Sequence, residues 1–257
     1  MPSAGDPPAR GAASLRGAAD SLRAAADSLR AALRVVAITD RRLMVPEALL
    51  ATGDWPAIAH AFGEAIARAV SGCPSGSVVV QVREKDLDGG PLLQLVRAAQ
   101  PHAPVIVNDR LDVALAASAH GVHLPERGIS LVDARALAPD LVIGVSRHAP
   151  PLDTGATPAI AAPGADLVQL GPIWPTPSKP TATPLGEAAL AWPHGAAILV
   201  AVGGIDTPER AQLAAAAGAD AVAVIRAAWT GASIAPFVAA VNAGLARRSP
   251  SSGLPPR

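Results

Sequence analysis

The stretch ILVAVGGIDTPERAQLAAAAGADAVAVI, residues 198–225, holds two apolar runs with a helical segment between them. Ile198 to Gly203 is short and unbroken, as a strand buried on both faces is. Thr207, Pro208 and Glu209 then supply an N-cap hydroxyl, a first position with its φ already set, and an acid for the first turn. Ala221 to Ile225 is a second buried run. Two such strands joined by a crossover helix form a parallel pair.

Outward from this unit the same alternation recurs. Further runs are Val35 to Thr39, Val78 to Arg83, Val105 to Asn108, Gly121 to Leu124, Leu141 to Ser146 and Leu167 to Gly171, which makes eight. Ser130 with Asp133 gives a capping-box-like helix start. Eight strands with seven crossovers predict an α/β TIM (β/α)8 barrel, although a doubly wound open sheet shows a similar alternation. Segment 149–165, APPLDTGATPAIAAPGA, is too rich in Pro and Gly for a long fifth helix and predicts a short or distorted one.

The flanks differ in kind. Residues 14–34 repeat every seven residues, SLRGAAD SLRAAAD SLRAALR, with Asp20 and Asp27 placed to pair with Arg23 and Arg30. The seam of Leu15, Leu22, Leu29 and Leu33 is shallow for a coiled coil, so a solvated helix is expected. The division expected is therefore an Ala-rich helical or disordered extension over 1–33, a barrel over 34–246 and a disordered tail over 247–257.

Half of the 257 residues are hydrophobic, but with two Phe, four Trp and no Tyr the core must be built from small and branched side chains. The formal net charge is zero, so no global field favours nucleic acid or an anionic membrane, and any phosphate site must be local. Cys73 is the single cysteine, which excludes an internal disulfide framework and a Cys-based zinc site and fits a reducing, cytoplasmic setting. No apolar run reaches the length of a membrane span, and no secretory signal core is present, so a soluble protein is expected.

Polar residues cluster where strands end, and in a barrel those ends converge on one site. After the second strand, Gln81, Arg83 and Lys85 fall at alternate positions and project to one side. A guanidinium fork and an ammonium suit a diphosphate; a surface ion-pair cluster with Glu84 and Asp86 is the alternative. Asn108 and Asp109 end the third strand, with Asp112 a turn later; these oxygens suit Mg2+ or, alternatively, a helix cap. The loop GPIWPTPSKP stiffens the chain around Thr176, Ser178 and Lys179, whose hydroxyls and ammonium can hold phosphate oxygens. Gly203 and Gly204 let the backbone approach an anion beside a helix start. His123, inside the fourth strand, is read as a satisfied core residue. His60, His102, His148 and His194 show no metal-ligand spacing, and no Ser/His/Asp order stands at strand ends.

In order, VAITD, VQVREK, VIVNDRLDVALA, GVHL, IGVS, GADLVQLGPIWPTPSK, AVGGI and AGADAVAVI resemble the thiamine-phosphate synthase/TenI family over roughly residues 34–230. The resemblance implies a TIM barrel that joins hydroxymethylpyrimidine diphosphate to a thiazole phosphate, releases diphosphate and requires Mg2+. It implies that Gln81, Arg83 and Lys85 hold the pyrimidine diphosphate, that Asn108, Ser146 and Lys179 face diphosphate, and that Asp109 binds the metal. Thr176, Ser178, Gly203 and Gly204 would cradle the thiazole phosphate, with Ile225 closing the site. Arg83, Lys85 and Lys179 are thereby the expected catalytic cations.

Two positions depart from the synthase pattern. Gly128 replaces the usual second metal-binding Asp; either Glu126, two positions earlier in HLPERGIS, supplies a carboxylate in its place or the site binds Mg2+ weakly. Arg226 stands where the family has Ser, and is expected to contact phosphate. HLPERG looks like the TenI-like branch, whose thiazole tautomerases use a histidine where this chain has Pro172. A tautomerase and a non-catalytic regulatory barrel are thus the alternatives to a synthase. The partners expected are small phosphorylated substrates, and a homo-oligomer is compatible with the sequence.

Overall fold

A computed structural model describes residues 28–29, 31–149 and 164–248. Eight parallel strands close into one barrel in sequence order, β1 Val35–Ile38, β2 Val78–Val82, β3 Val105–Asn108, β4 Gly121–Leu124, β5 Val142–Arg147, β6 Leu167–Leu170, β7 Ile198–Val202 and β8 Ala221–Val224, with β8 paired back to β1. Closure decides against the open sheet. The strand ends fall within one residue of the apolar runs, because burial on both faces is what made those runs unbroken.

Within each strand the two residue parities do different work. Val35, Ala37, Val78, Val80, Val82, Val105 and Val107 belong to the outer cluster, packed against the helices. Val36, Ile38, Val79, Ile106, Leu167, Ile198, Val200, Ala221 and Ala223 form a second cluster that fills the lumen. Continuing that inner parity towards the carboxyl ends gives Gln81, Asn108, His123, Ser146 and Gln169, five polar residues at the top of an apolar plug.

The helices are α1 Arg41–Met44, α2 Glu47–Leu50, α3 Trp55–Val70, α4 Gly89–Ala99, α5 Leu111–Ala116, α6 Leu131–Leu137, α7 Pro208–Ala217, α8 Arg226–Thr230 and α9 Ala235–Ala246. Both caps expected from sequence form: the Ser130 hydroxyl accepts from the Asp133 amide at 3.1 Å, and Thr207 Oγ1 from the Arg210 amide at 3.4 Å. Small residues allow close packing here; a Cβ on Gly244 of α9 would stand 2.4 Å from the Gln212 carbonyl of α7. Between β6 and β7 the proline-rich loop leaves room only for a 3-10 helix, Glu187–Ala191.

Residues 150–163, where a short fifth helix is expected, lie outside the described residues, as do 249–257 and most of the heptad repeat. Of the repeat, Ser28, Leu29, Ala31 and Ala32 are helical, and Leu33 packs into the lumen cluster with Leu29 against it. Among the described residues no helix is long and apolar enough to cross a membrane.

Candidate active site

The polar layer is hydrogen-bonded across strands. Gln169 Nε2 donates to Gln81 Oε1 at 2.5 Å, and Gln81 Nε2 donates to Asn108 Oδ1 at 3.1 Å. His123 lies 2.8 Å from the Ser146 hydroxyl through Nε2, while its buried Nδ1 has no partner among the described residues. Burial, with smaller contributions from Arg83 and His148, pushes the imidazole pKa down to about 3, so the ring is neutral. An orphaned N–H is rarer than an orphaned acceptor, which assigns the proton to Nε2. Ser146 then accepts from His123 and keeps its own hydrogen for an acceptor in the cavity.

The end of β2 sorts charges by parity. Arg83 and Lys85 line the cavity with Gln81 and have no carboxylate partner among the described residues. Glu84 and Asp86, on the other parity, are held by Arg41 at 3.0 and 2.7 Å, and Asp86 also by Arg42 at 2.7 Å. The surface ion-pair alternative therefore does not occur. Arg41 holds the Asp86 carboxyl well below the usual range, whereas burial pushes that of Glu84 up against the opposing pull of Thr39 and Arg41. Thr39 links the two sides: its hydroxyl donates to Glu84 at 2.7 Å and accepts from the Arg83 amide at 3.0 Å.

Asp109 follows β3 in a left-handed conformation, φ +66°, with its amide donating to the His123 carbonyl at 2.8 Å, and it lines the cavity beside Asn108. A Cβ on Gly128 would lie 2.8 Å from Asp109 Oδ1, so the position where the resemblance implies a second carboxylate adjoins Asp109. Asp112 is drawn away by Arg110, 2.6 Å distant, and neither aspartate caps α5. Glu126 does not line the cavity; its carboxylate pairs with His148 Nδ1 at 2.9 Å and accepts from the His148 amide at 3.1 Å. Among the described residues no group of three His, Cys, Asp or Glu could hold a metal. One carboxylate fits Mg2+ if substrate phosphates and water complete its shell.

Opposite β2, Thr176, Ser178 and Lys179 line the cavity from the β6 loop. The Lys179 ammonium reaches His148 Nε2. Burial lowers its pKa; Glu126 opposes this, while Arg83 and Lys85 add to it. Gly203 and Gly204 have φ of +94° and +74°, and their amides have no partner among the described residues. Beside them Ile225 and Arg226 open α8; the Ala228 amide donates to the Ile225 carbonyl at 3.2 Å, and the Arg226 and Ala227 amides before it have no partner among the described residues. In barrels of this architecture a phosphate group is frequently held by the loops after the seventh and eighth strands and the start of a short extra helix. The cavity is about 370 Å3, opens at the mouth of the barrel, and brings together every residue expected at the site except Glu126.

Sequence reasoning left His123 and Gln169 out of the site, although both line this cavity. Their signal was a polar residue on the same parity as Gln81 within an otherwise apolar run.

The family model described as thiamine monophosphate synthase matches residues 49–228. A thiamine-phosphate synthase from Anaeromyxobacter dehalogenans is 39% identical over 71% of this chain and 86% of its own length. A relative from Geobacter sulfurreducens is 43% identical over 47% of this chain, a match that spans 58% of that protein. A solved thiamine phosphate pyrophosphorylase from Pyrococcus furiosus superposes with a TM-score of 0.57 and 27% identity, covering 85% of this chain and 98% of the other. With the closed barrel and its cation-lined mouth, the match across 49–228 shows that this chain belongs to the thiamine monophosphate synthase family, a family of transferase enzymes.

Proposed function

We propose that this barrel is a thiamine-phosphate synthase, joining hydroxymethylpyrimidine diphosphate to thiazole phosphate with release of diphosphate. The observation that supports the reading is one cavity lined by two groups of anion-compatible donors. Arg83, Lys85 and Lys179 line the mouth of the cavity without an ion-paired carboxylate among the described residues, and the Gly203 and Gly204 amides with Thr176 and Ser178 offer a second set of donors. A substrate pair bearing a diphosphate and a monophosphate matches those two groups.

Gln81, fixed between Gln169 and Asn108, orients the pyrimidine, and Ser146 donates to a diphosphate oxygen because His123 occupies its acceptor side. As the carbon–oxygen bond breaks, negative charge grows on the leaving diphosphate, and the three cations stabilise it in place. Mg2+, held by Asp109 and the substrate phosphates, would supply further neutralisation of that charge. No covalent nucleophile is needed. Arg226 adds a guanidinium beside the thiazole phosphate.

The enzyme body we assign to 34–246, and the single Cys73 suits a reducing, cytoplasmic setting. Pro172 lines the cavity where a tautomerase would place its histidine, which sets that reading behind the synthase. Incubation of the pure chain with both substrates and Mg2+ tests the proposal: thiamine phosphate and diphosphate should form in equal amounts, and formation of neither overturns it.

A further inference from the structure

At the rim of the cavity three side chains from three different loops meet in line: Glu126, His148 and Lys179. Glu126 grips His148 twice, through the backbone amide at 3.1 Å and through Nδ1 at 2.9 Å, which fixes both the position and the rotation of the ring. A carboxylate can only accept, so Nδ1 carries the proton and Nε2 presents its lone pair. That lone pair faces the Lys179 ammonium, which can only donate. Among the described residues the other charged groups near Lys179 are Arg83 and Lys85, both cationic, so no further charged group there would hold the ammonium between them. This is an arrangement in which an outer carboxylate orients a histidine and the histidine orients the working group.

We infer that Glu126 and His148 are positioning residues that hold Lys179 against the diphosphate subsite. The inference rests on the anion-site reading of the cavity. It gives Glu126 a role other than metal ligation, and it makes His148, absent from any sequence-level assignment to the site, a part of the apparatus. Charge alone predicts the opposite behaviour: removing a carboxylate beside an anion site should tighten anion binding.

Titration of the full chain with inorganic diphosphate in the presence of Mg2+, followed by calorimetry, separates the two. Glu126→Ala and His148→Ala should each weaken diphosphate binding about tenfold, the scale of one charge-assisted hydrogen bond. Glu126→Gln, which keeps an oxygen acceptor, should retain most of the affinity. In a Lys179→Ala background, Glu126→Ala should weaken binding less than about twofold, since the group it positions is gone. Tighter binding by Glu126→Ala, or the same weakening with and without Lys179, overturns the inference. Coupling between Glu126 and Lys179 without thiamine phosphate synthesis would sink the synthase proposal alone, and synthesis without coupling would sink this inference alone.

Discussion

Replacing Gly203 by alanine should damage stability and thiazole phosphate binding together. The backbone there has φ of +94°, and a Cβ would sit 2.7 Å from both Cα and Cβ of Pro172, so neither partner can rotate away. A left-handed conformation costs an L-residue about 1–2 kcal/mol, and forcing an extra methyl into a packed contact about 1–3 kcal/mol. Together the loss is on the order of 2–5 kcal/mol, which for a chain of this size lowers Tm by roughly 10 °C. Gly195 is the control: its φ is +64° but nothing lies within 4 Å, so Gly195→Ala should lose only about 1 kcal/mol, or roughly 2–4 °C. Because the Ile173 amide bonds the Val202 carbonyl at 3.0 Å and the Trp174 amide that of Gly203 at 3.1 Å, the displaced Pro172 segment should carry Thr176 and Ser178 with it. Thermal unfolding and steady-state KM for thiazole phosphate read the two effects, with KM expected to rise at least about tenfold. If both alanine variants melt together and KM is unchanged, the close approach of the β6 and β7 loops is not what shapes the cradle.

Lys85→Ala and Asp109→Ala should each reduce synthase turnover at least about a hundredfold with Tm nearly unchanged, because neither side chain supports the packed interior; substantial residual activity in both would count against the assigned roles. Chelation of divalent metal should abolish product formation and restored Mg2+ should recover it. The Arg41–Asp86 pair should be visible in stability against pH. A carboxyl whose folded pKa is lowered contributes stability above its unfolded value near about 4, and that contribution is lost as pH falls through the folded value; an acid-range melting series on Asp86→Asn should be flatter than that of the unaltered chain. Gln81→Leu should leave the Gln169 amide without its acceptor inside the barrel, at about 1–3 kcal/mol, measured by denaturant unfolding; a variant as stable as the parent would show that the amide array contributes nothing.

The barrel was legible because parallel strands buried on both faces write themselves as unbroken apolar runs, and the helix starts at Ser130 and Thr207 carry their caps in local sequence. The cavity was largely legible too, since Gln81, Arg83, Lys85, Asn108 and Asp109 sit at strand ends that topology alone brings together. What sequence did not carry was pairing across distant loops. Glu126 is two positions from Gly128 and was expected at the metal, but its carboxylate is claimed by His148, a contact between residues 22 apart. His123 was read as core, and it is buried; only the three-dimensional register shows that its Nε2 meets Ser146 at the cavity floor.

The alternation at the end of β2 has a consequence for how such a chain can drift. Residues 81, 83 and 85 line the cavity at the barrel mouth, while 84 and 86 clamp Arg41 outside it. Substitutions can be sampled there one at a time, but a single-residue deletion just before Arg83 would exchange the two sets, since strand parity has a period of two. It would turn two carboxylates inward and two cations outward, reversing the sign of the charge that β2 brings to the cavity in one event. Length in this stretch should therefore be under tighter purifying selection than the identity of any one of its outward-facing residues.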